Sequence, residues 1–190
     1  MIKAILFDCF GVVYMDHFEK VYAHFGGDAE KEEAEIYQAL FDISKGTLNE
    51  YDFLANRFGV TRKQWDEVSA QLSGFNKNLL KYIVELRKRY RVGMLSNVGT
   101  EGLEEFMDYG VLEAHFDVIC ESAKIGFAKP EARAYEISAD KLGVRLDECV
   151  FTDDRPPYIE GAQAVGMHTI LFKSTEQFIA DLEELLQLNS

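Results

Sequence analysis

Ala4-Ile5-Leu6-Phe7-Asp8 is a short apolar run that ends at an acid. Residues 2–7 suit a strand buried on both faces, as in a parallel sheet. Cys9-Phe10-Gly11-Val12-Val13-Tyr14-Met15 reads as a turn followed by more extended chain. Farther along, similar runs recur at Val92–Leu95, Phe116–Cys120, Cys149–Thr152 and Thr169–Phe172. Helix-like segments lie between or after them, at about 100–109, 130–142, 156–165 and 174–187. This alternation predicts βαβ units, and hence an α/β fold with a parallel sheet covered by helices.

The stretch 16–90 interrupts that pattern and reads as nearly all helix. Asp28 opens a run rich in Glu and Ala to about Ile43, which Lys45-Gly46-Thr47 breaks. Asn49 is placed to cap a helix to about Phe58, with Gly59 as its stop. Thr61 and Gln64 fit a capping box before Trp65, Val68 and Leu72, and Gly74 ends that helix. Residues 76–90 form another, whose basic last turn (Arg87, Lys88, Arg89) reads as a complement to the helix dipole in preference to a binding patch. The chain therefore divides into a core of 1–15 and 91–190 and an all-helical insertion of 16–90.

With 190 residues the chain is long enough for one real core without disulfide support. Its 33 acidic against 20 basic residues give a net charge of −13. That makes the chain a poor candidate for a general nucleic-acid binder, which needs basic surface to meet phosphates. A small anionic substrate is not excluded, because a local site can be positive on an acidic protein. No uncharged run reaches membrane-spanning length, and the first apolar run is too short for a signal peptide before Asp8 breaks it. Cys9, Cys120 and Cys149 are widely spaced in apolar stretches and form no metal-binding pattern. Buried, reduced thiols and a cytoplasmic location are the expectation. Oligomeric state is left open.

In open α/β sheets ligands bind at the carboxyl ends of the strands. Strand one ends in Asp8, strand two in Ser96-Asn97, and strand four runs into Asp153-Asp154. Gly126-Phe127-Ala128-Lys129-Pro130 follows strand three. Each has a plainer reading alone: a turn acid, a helix cap, first-turn acids before Pro156, a surface lysine. Together they form a constellation. Three acids at one rim repel unless a cation sits among them, and an oxygen-only set favours magnesium. A lysine and a hydroxyl beside that metal would hold an anion, and phosphate fits best.

Leu6-Phe7-Asp8-Cys9-Phe10-Gly11-Val12-Val13, Leu95-Ser96-Asn97, Gly126-Phe127-Ala128-Lys129-Pro130 and Val150-Phe151-Thr152-Asp153-Asp154 occur in the order seen in haloacid dehalogenase-like hydrolases, which the chain resembles over essentially its whole length. The resemblance implies a Rossmann-like core, with the 16–90 insertion as a helical cap between the first two motifs. It implies that Asp8 is the nucleophile, forming an aspartyl-phosphate, and also binds Mg²⁺. Asp154 would bind the metal directly, and Asp153 directly or through water. Ser96 and the Asn97 backbone would hold phosphoryl oxygens, while Lys129 neutralises nucleophile and phosphate. The implied substrate is a small phosphorylated metabolite.

Phe10 departs from the family, whose phosphatases usually carry a second Asp at that position. Its backbone carbonyl can still bind the metal, but its side chain can neither protonate a leaving group nor activate water. Loss of such help costs about 10²–10⁴ in rate. Three readings follow. The first is a phosphatase in which Asp16, Tyr14, His17 or the substrate handles the proton. The second is a dehalogenase, which also lacks that Asp but needs no magnesium, and which Asp153-Asp154 disfavours. The third is a low-turnover binding or regulatory relative. A receiver domain is disfavoured by the reversed order of its acids.

Overall fold

A computed structural model of the chain describes residues 1–15, 18–44, 47–48, 50–100 and 102–188. Lys45, Gly46, Asn49, Asp16 and His17, named above, lie outside them.

Five strands form a parallel sheet in the order β5-β4-β1-β6-β7. They are β1 (Ala4–Phe7), β4 (Arg91–Ser96), β5 (Val118–Glu121), β6 (Cys149–Asp153) and β7 (His168–Leu171). The first strand is central, in register with β4 (Phe7 opposite Met94) and β6 (Phe7 opposite Thr152). Asp8 thus emerges between the ends of β4 and β6, where Ser96 and Asp153 lie.

Alternation along β1 explains the two covered faces. Ile5 and Phe7 share one buried cluster with Val92, Met94 and Phe178, while Ala4 and Leu6 join Leu95, Tyr135 and Phe151 in another. The first face is covered by α5 (Lys77–Leu86), α6 (Tyr109–His115) and α10 (Thr175–Leu188). The second is covered by α8 (Ala132–Leu142) and α9 (Pro156–Ala164), with the short α7 (Ser122–Ile125) leading into the loop before α8.

Four helices form a unit with its own core: α1 (Phe18–His24), α2 (Glu33–Ser44), α3 (Glu50–Phe58) and α4 (Arg62–Leu72). Val21, Tyr22, Ile36, Leu54, Val60 and Trp65 are buried there. The Thr61–Gln64 capping box is present at the start of α4. Gly59, with φ +67°, follows α3 in a conformation that a residue with a Cβ rarely adopts.

Two short strands connect this unit to the sheet. β2 (Tyr14–Met15) pairs antiparallel with β3 (Gly74–Phe75). Asn76 secures the ribbon: its N–H donates to Val13 O at 2.8 Å and its Nδ2 to Val12 O at 3.2 Å. The Cys9 carbonyl accepts from the N–H groups of Val13 and Tyr14, both at 2.8 Å.

The structure shifts several sequence expectations. The Asp28 run is not one helix: α2 begins at Glu33, after a turn in which Asp28 Oδ1 accepts from Lys31 N–H at 3.2 Å. The preceding α1, ended by Gly26-Gly27, carried no periodic signal long enough to register. The expected helix at 100–109 is a single 3₁₀ turn (Leu103–Glu105), and α6 starts only at Tyr109, where Asp108 caps the Gly110 N–H at 3.0 Å. Phe116 ends α6 instead of starting β5, because the Asp117 carboxylate accepts from Val92 N–H at 2.8 Å before the strand begins.

Helix α5 stops at Leu86, so Lys88 and Arg89 stand beyond it and Arg87 is its cap. Its Leu79, Leu80, Ile83 and Leu86 lie in the same apolar cluster as Ile5 and Phe7. At about 1.5–3 kcal/mol for each large apolar side chain removed from water, that packing holds α5 to the sheet, apart from the other helices of 16–90. The three cysteines are buried and not joined in disulfides. Among the described residues no helix is long and apolar enough to cross a membrane.

Candidate active site

The carboxyl ends of β1 and β6 bring three acids and one base together. Lys129 is 1% exposed, and its Nζ donates to Asp8 Oδ1 at 2.5 Å and to Asp153 Oδ2 at 2.7 Å. Asp8 and Asp153 are themselves buried, while Asp154 stands exposed on the rim. Oxygen atoms of Asp8, Asp153 and Asp154 lie within 4.8 Å of one another.

The lysine reaches this place because its segment is fastened to the end of β4. Asn97 Nδ2 donates to Lys129 O at 2.9 Å, and Lys129 N–H donates to Asn97 Oδ1 at 2.9 Å. Farther along, Ser122 Oγ meets both the N–H and the carbonyl of Val98 at 3.0 Å. The ammonium lies 4.9 Å from the Tyr158 ring centre and 5.5 Å from that of Phe151. Those aromatic faces supply negative potential without competing as ligands.

The electrostatics are those of a site short of positive charge. Burial pushes the Asp8 carboxyl up to about 8, and Asp153 adds to it, against the pull of Lys129. Partial desolvation and Asp153 push Asp154 up to about 6. Burial alone would depress the Lys129 ammonium, but Asp153 and Asp8 outweigh it and hold the group above the ordinary lysine range. One ammonium does not balance three carboxylates. The missing charge and the all-oxygen donor set fit a hard divalent cation such as magnesium.

Ser96 is fully buried at the end of β4, and its Oγ has no hydrogen-bond partner. A buried hydroxyl without a partner costs about 1–3 kcal/mol, so this one is built to meet something that the protein itself does not supply. Phe10 turns its ring into an aromatic cluster, 5.4 Å from Phe106 and 6.3 Å from Tyr14 between centres. Gly11 has φ +84°, and a Cβ there would lie 2.3 Å from Asp154 Oδ2. Glycine is therefore needed both for the turn and for the clearance of the acid.

Sequence reasoning singled out Asp8, Ser96, Asn97, Lys129, Asp153 and Asp154 at the strand ends. The structure places Asp8, Lys129, Asp153 and Asp154 in contact or within a few ångströms, with Ser96 and Asn97 on the adjoining strand end. No local sequence pattern announces the grip of the Asn97 side chain on Lys129. Nor does one announce Arg155 and Tyr37. The Arg155 guanidinium lies 5.0 Å from the Tyr37 ring on α2 and 5.3 Å from that of Tyr158, joining the helical unit to the acidic loop. Arg62 of α4 and Glu105 form an ion pair, a second contact between the two parts.

Comparison with known proteins agrees with this architecture. Over 92 residues the chain is 35% identical to Phosphatase MT3486 of Mycobacterium tuberculosis (strain CDC 1551 / Oshkosh), covering 48% of this chain and 42% of that one. The chain thus spans less than half the length of that relative, and 13% of the porcine bifunctional epoxide hydrolase 2 that it also matches. A predicted HAD-like family hydrolase from Porphyromonas gingivalis superposes with a TM-score of 0.75 at 25% identity, over 98% of both chains. A HAD family enzyme of Bacteroides thetaiotaomicron, solved with magnesium and inorganic phosphate, gives a TM-score of 0.70 at 24% identity, over 92% of this chain and 96% of that one. The model for the haloacid dehalogenase-like hydrolases matches residues 2–166, which take in the helical unit and the ends of β1, β4, β5 and β6, and the chain belongs to that family.

Proposed function

We propose that the protein is a magnesium-dependent phosphatase of small phosphate monoesters that works through a phosphorylated Asp8. The observation that carries this reading is the buried Lys129 ammonium bridging Asp8 and Asp153, with Asp154 beside them. Asp8 Oδ1 and both oxygens of Asp153 are engaged: Asp153 Oδ2 by Lys129 and Asp153 Oδ1 by the Arg155 N–H at 2.9 Å. Asp8 Oδ2, Asp154 and the Phe10 carbonyl are the groups left to hold magnesium directly, with Asp153 direct or through water. The metal would supply the positive charge that Lys129 alone lacks.

In the reaction an Asp8 carboxylate oxygen bonds to phosphorus as the phosphorus–ester oxygen bond breaks. The ammonium of Lys129 offsets the repulsion between two anions, and the Ser96 hydroxyl with the Asn97 N–H receives phosphoryl oxygens. Water then attacks the phosphorus, releasing phosphate and restoring Asp8. Position 10 offers no carboxyl for the proton of the leaving alcohol, so esters of acidic alcohols, which leave without one, are the favoured substrates. The Mycobacterium relative's name and the magnesium and phosphate in the Bacteroides structure support this reading. We read α1–α4 as a lid over the site, with Arg155 against Tyr37 as one of its closing contacts.

The acid pair disfavours a dehalogenase, whose substrate carboxylate it would repel without a metal. A low-turnover relative is the second reading, and Phe10 favours it. The test is hydrolysis of an activated aryl phosphate with and without Mg²⁺. Activity that requires Mg²⁺ and disappears in Asp8→Asn establishes the phosphatase. A protein silent on aryl phosphate that becomes active as Phe10→Asp favours the low-turnover reading instead.

A further inference from the structure

A cavity of about 660 Å³ opens at the other end of the sheet, where β1 and β4 begin. Lys3, Arg87, Lys88, Arg89 and Arg91 line it, and no acid does. On a chain of net charge −13, five basic residues around one cavity are a local reversal of sign. The helix dipole accounts for Arg87, Lys88 and Arg89, which flank the end of α5 at Leu86, but not for Lys3 before β1 or Arg91 at the start of β4.

The nearby carboxylates leave part of this charge uncompensated. Lys3 is 2.7 Å from Glu148, and Lys88 is 2.6 Å from Glu85. Asp117 accepts from Arg87 at 2.9 Å and from Val92 N–H at 2.8 Å, which leaves Arg91 at 4.0 Å. Arg89 has no carboxylate partner among the described residues, and its guanidinium lies 5.5 Å from the Tyr90 ring centre. Beneath the exposed cations the lining is apolar: Ile2 is buried, and Tyr90 and Leu186 are half-buried.

Size and lining together define the ligand. Small-molecule sites run from about 300 to 1,000 Å³, much more than a lone phosphate fills. A cationic rim over an apolar and aromatic floor suits an anion with a flat organic body. We propose that this cavity is a binding site for a nucleoside phosphate, its phosphates on Arg89 and Arg91 and its ring system against Tyr90. Arg91 begins β4 and Ser96 ends it, so at about 3.3 Å per residue the two sites are roughly 16 Å apart along that strand. The cavity is distinct from the candidate active site and does not depend on its assignment.

The experiment is amide NMR of the full chain as Asp8→Asn, titrated with ATP and separately with inorganic phosphate. Saturable ATP shifts are expected at Lys3, Tyr90 and Arg91. Adding Arg89→Glu and Arg91→Glu should weaken them by at least about tenfold, the scale of losing charge-assisted contacts to phosphate. The same pair in the Asp8 background should leave aryl-phosphate hydrolysis unchanged. Shifts confined to position 8, Ser96 and Lys129, or an ATP affinity indifferent to the double substitution, would overturn the site. Equal affinity for inorganic phosphate would overturn the organic body of the ligand.

Discussion

Asn97 holds Lys129 by both of its backbone groups, with two hydrogen bonds of 2.9 Å that tie the loop before α8 to the end of β4. The lysine's long side chain is thereby launched from a fixed point toward Asp8 and Asp153. Asn97→Ala should leave the fold intact but loosen that aim. Two hydrogen bonds of about 1 kcal/mol each correspond to roughly a tenfold to thirtyfold loss in kcat/KM on aryl phosphate. Asn97→Asp, which keeps only the acceptor, should fall between. Equal activity in all three proteins would show that Lys129 needs no such support.

Removing the ammonium is harsher. In Lys129→Met the buried Asp8 and Asp153 lose their shared partner, and breaking a buried pair costs about 3–5 kcal/mol. Urea unfolding in EDTA should show this loss. Magnesium should recover part of the stability, but not the hydrolysis.

The raised carboxyls of Asp8 and Asp154 set a pH dependence for the metal-free protein. A carboxyl with a folded-state pKa above its unfolded value keeps its proton in the folded chain while the unfolded chain has lost it. Stability from this source is complete below the unfolded pKa and is lost as pH rises through the folded one. With Asp154 near 6 and Asp8 near 8, Tm in EDTA should fall between pH 5 and pH 8.5. Saturating magnesium should flatten or reverse that slope, and an unchanged slope would argue against the metal site.

Phe10→Asp would place a carboxyl where the proposed reaction lacks a group to protonate the leaving alcohol. Hydrolysis of alkyl phosphates should rise by about 10²-fold or more, and that of aryl phosphates much less. The ring's packing on Phe106 and Tyr14 is forfeited, so Tm should drop.

Gly11→Ala tests the floor of the site. Its φ of +84° and the 2.3 Å approach to Asp154 Oδ2 leave no room for a methyl group. A strained backbone of this kind costs about 1–3 kcal/mol, and the displaced Asp154 should weaken magnesium binding measured by calorimetry.

The strand ends were legible in the sequence because a run buried on both faces is continuous, and Asp8 and Asp153-Asp154 interrupt it where each strand stops. The Thr61–Gln64 box was legible because capping needs two residues at fixed spacing. The α1 helix was not, being two turns long and held in place by Tyr22 and Trp65 packing, which no local pattern encodes. The segment 100–109 misled because Leu103, Phe106 and Met107 reach the apolar cluster from a single 3₁₀ turn, which the distant Glu121 carboxylate caps by accepting from Leu103 N–H at 2.9 Å. Arg155 against Tyr37 and Asn97 against Lys129 are pairings across 118 and 32 positions, set by topology alone.

The two-stranded ribbon of β2 and β3 carries both covalent connections between α1–α4 and the sheet. Two hydrogen-bonded strands bend like a strap: readily about one axis, stiffly about the others. Phe10 bridges to Tyr14 at the near end of the strap, and the Cys9 carbonyl anchors the same turn. On its first strand, the covalent path from the four helices to the sheet therefore runs through the residues that directly follow Asp8.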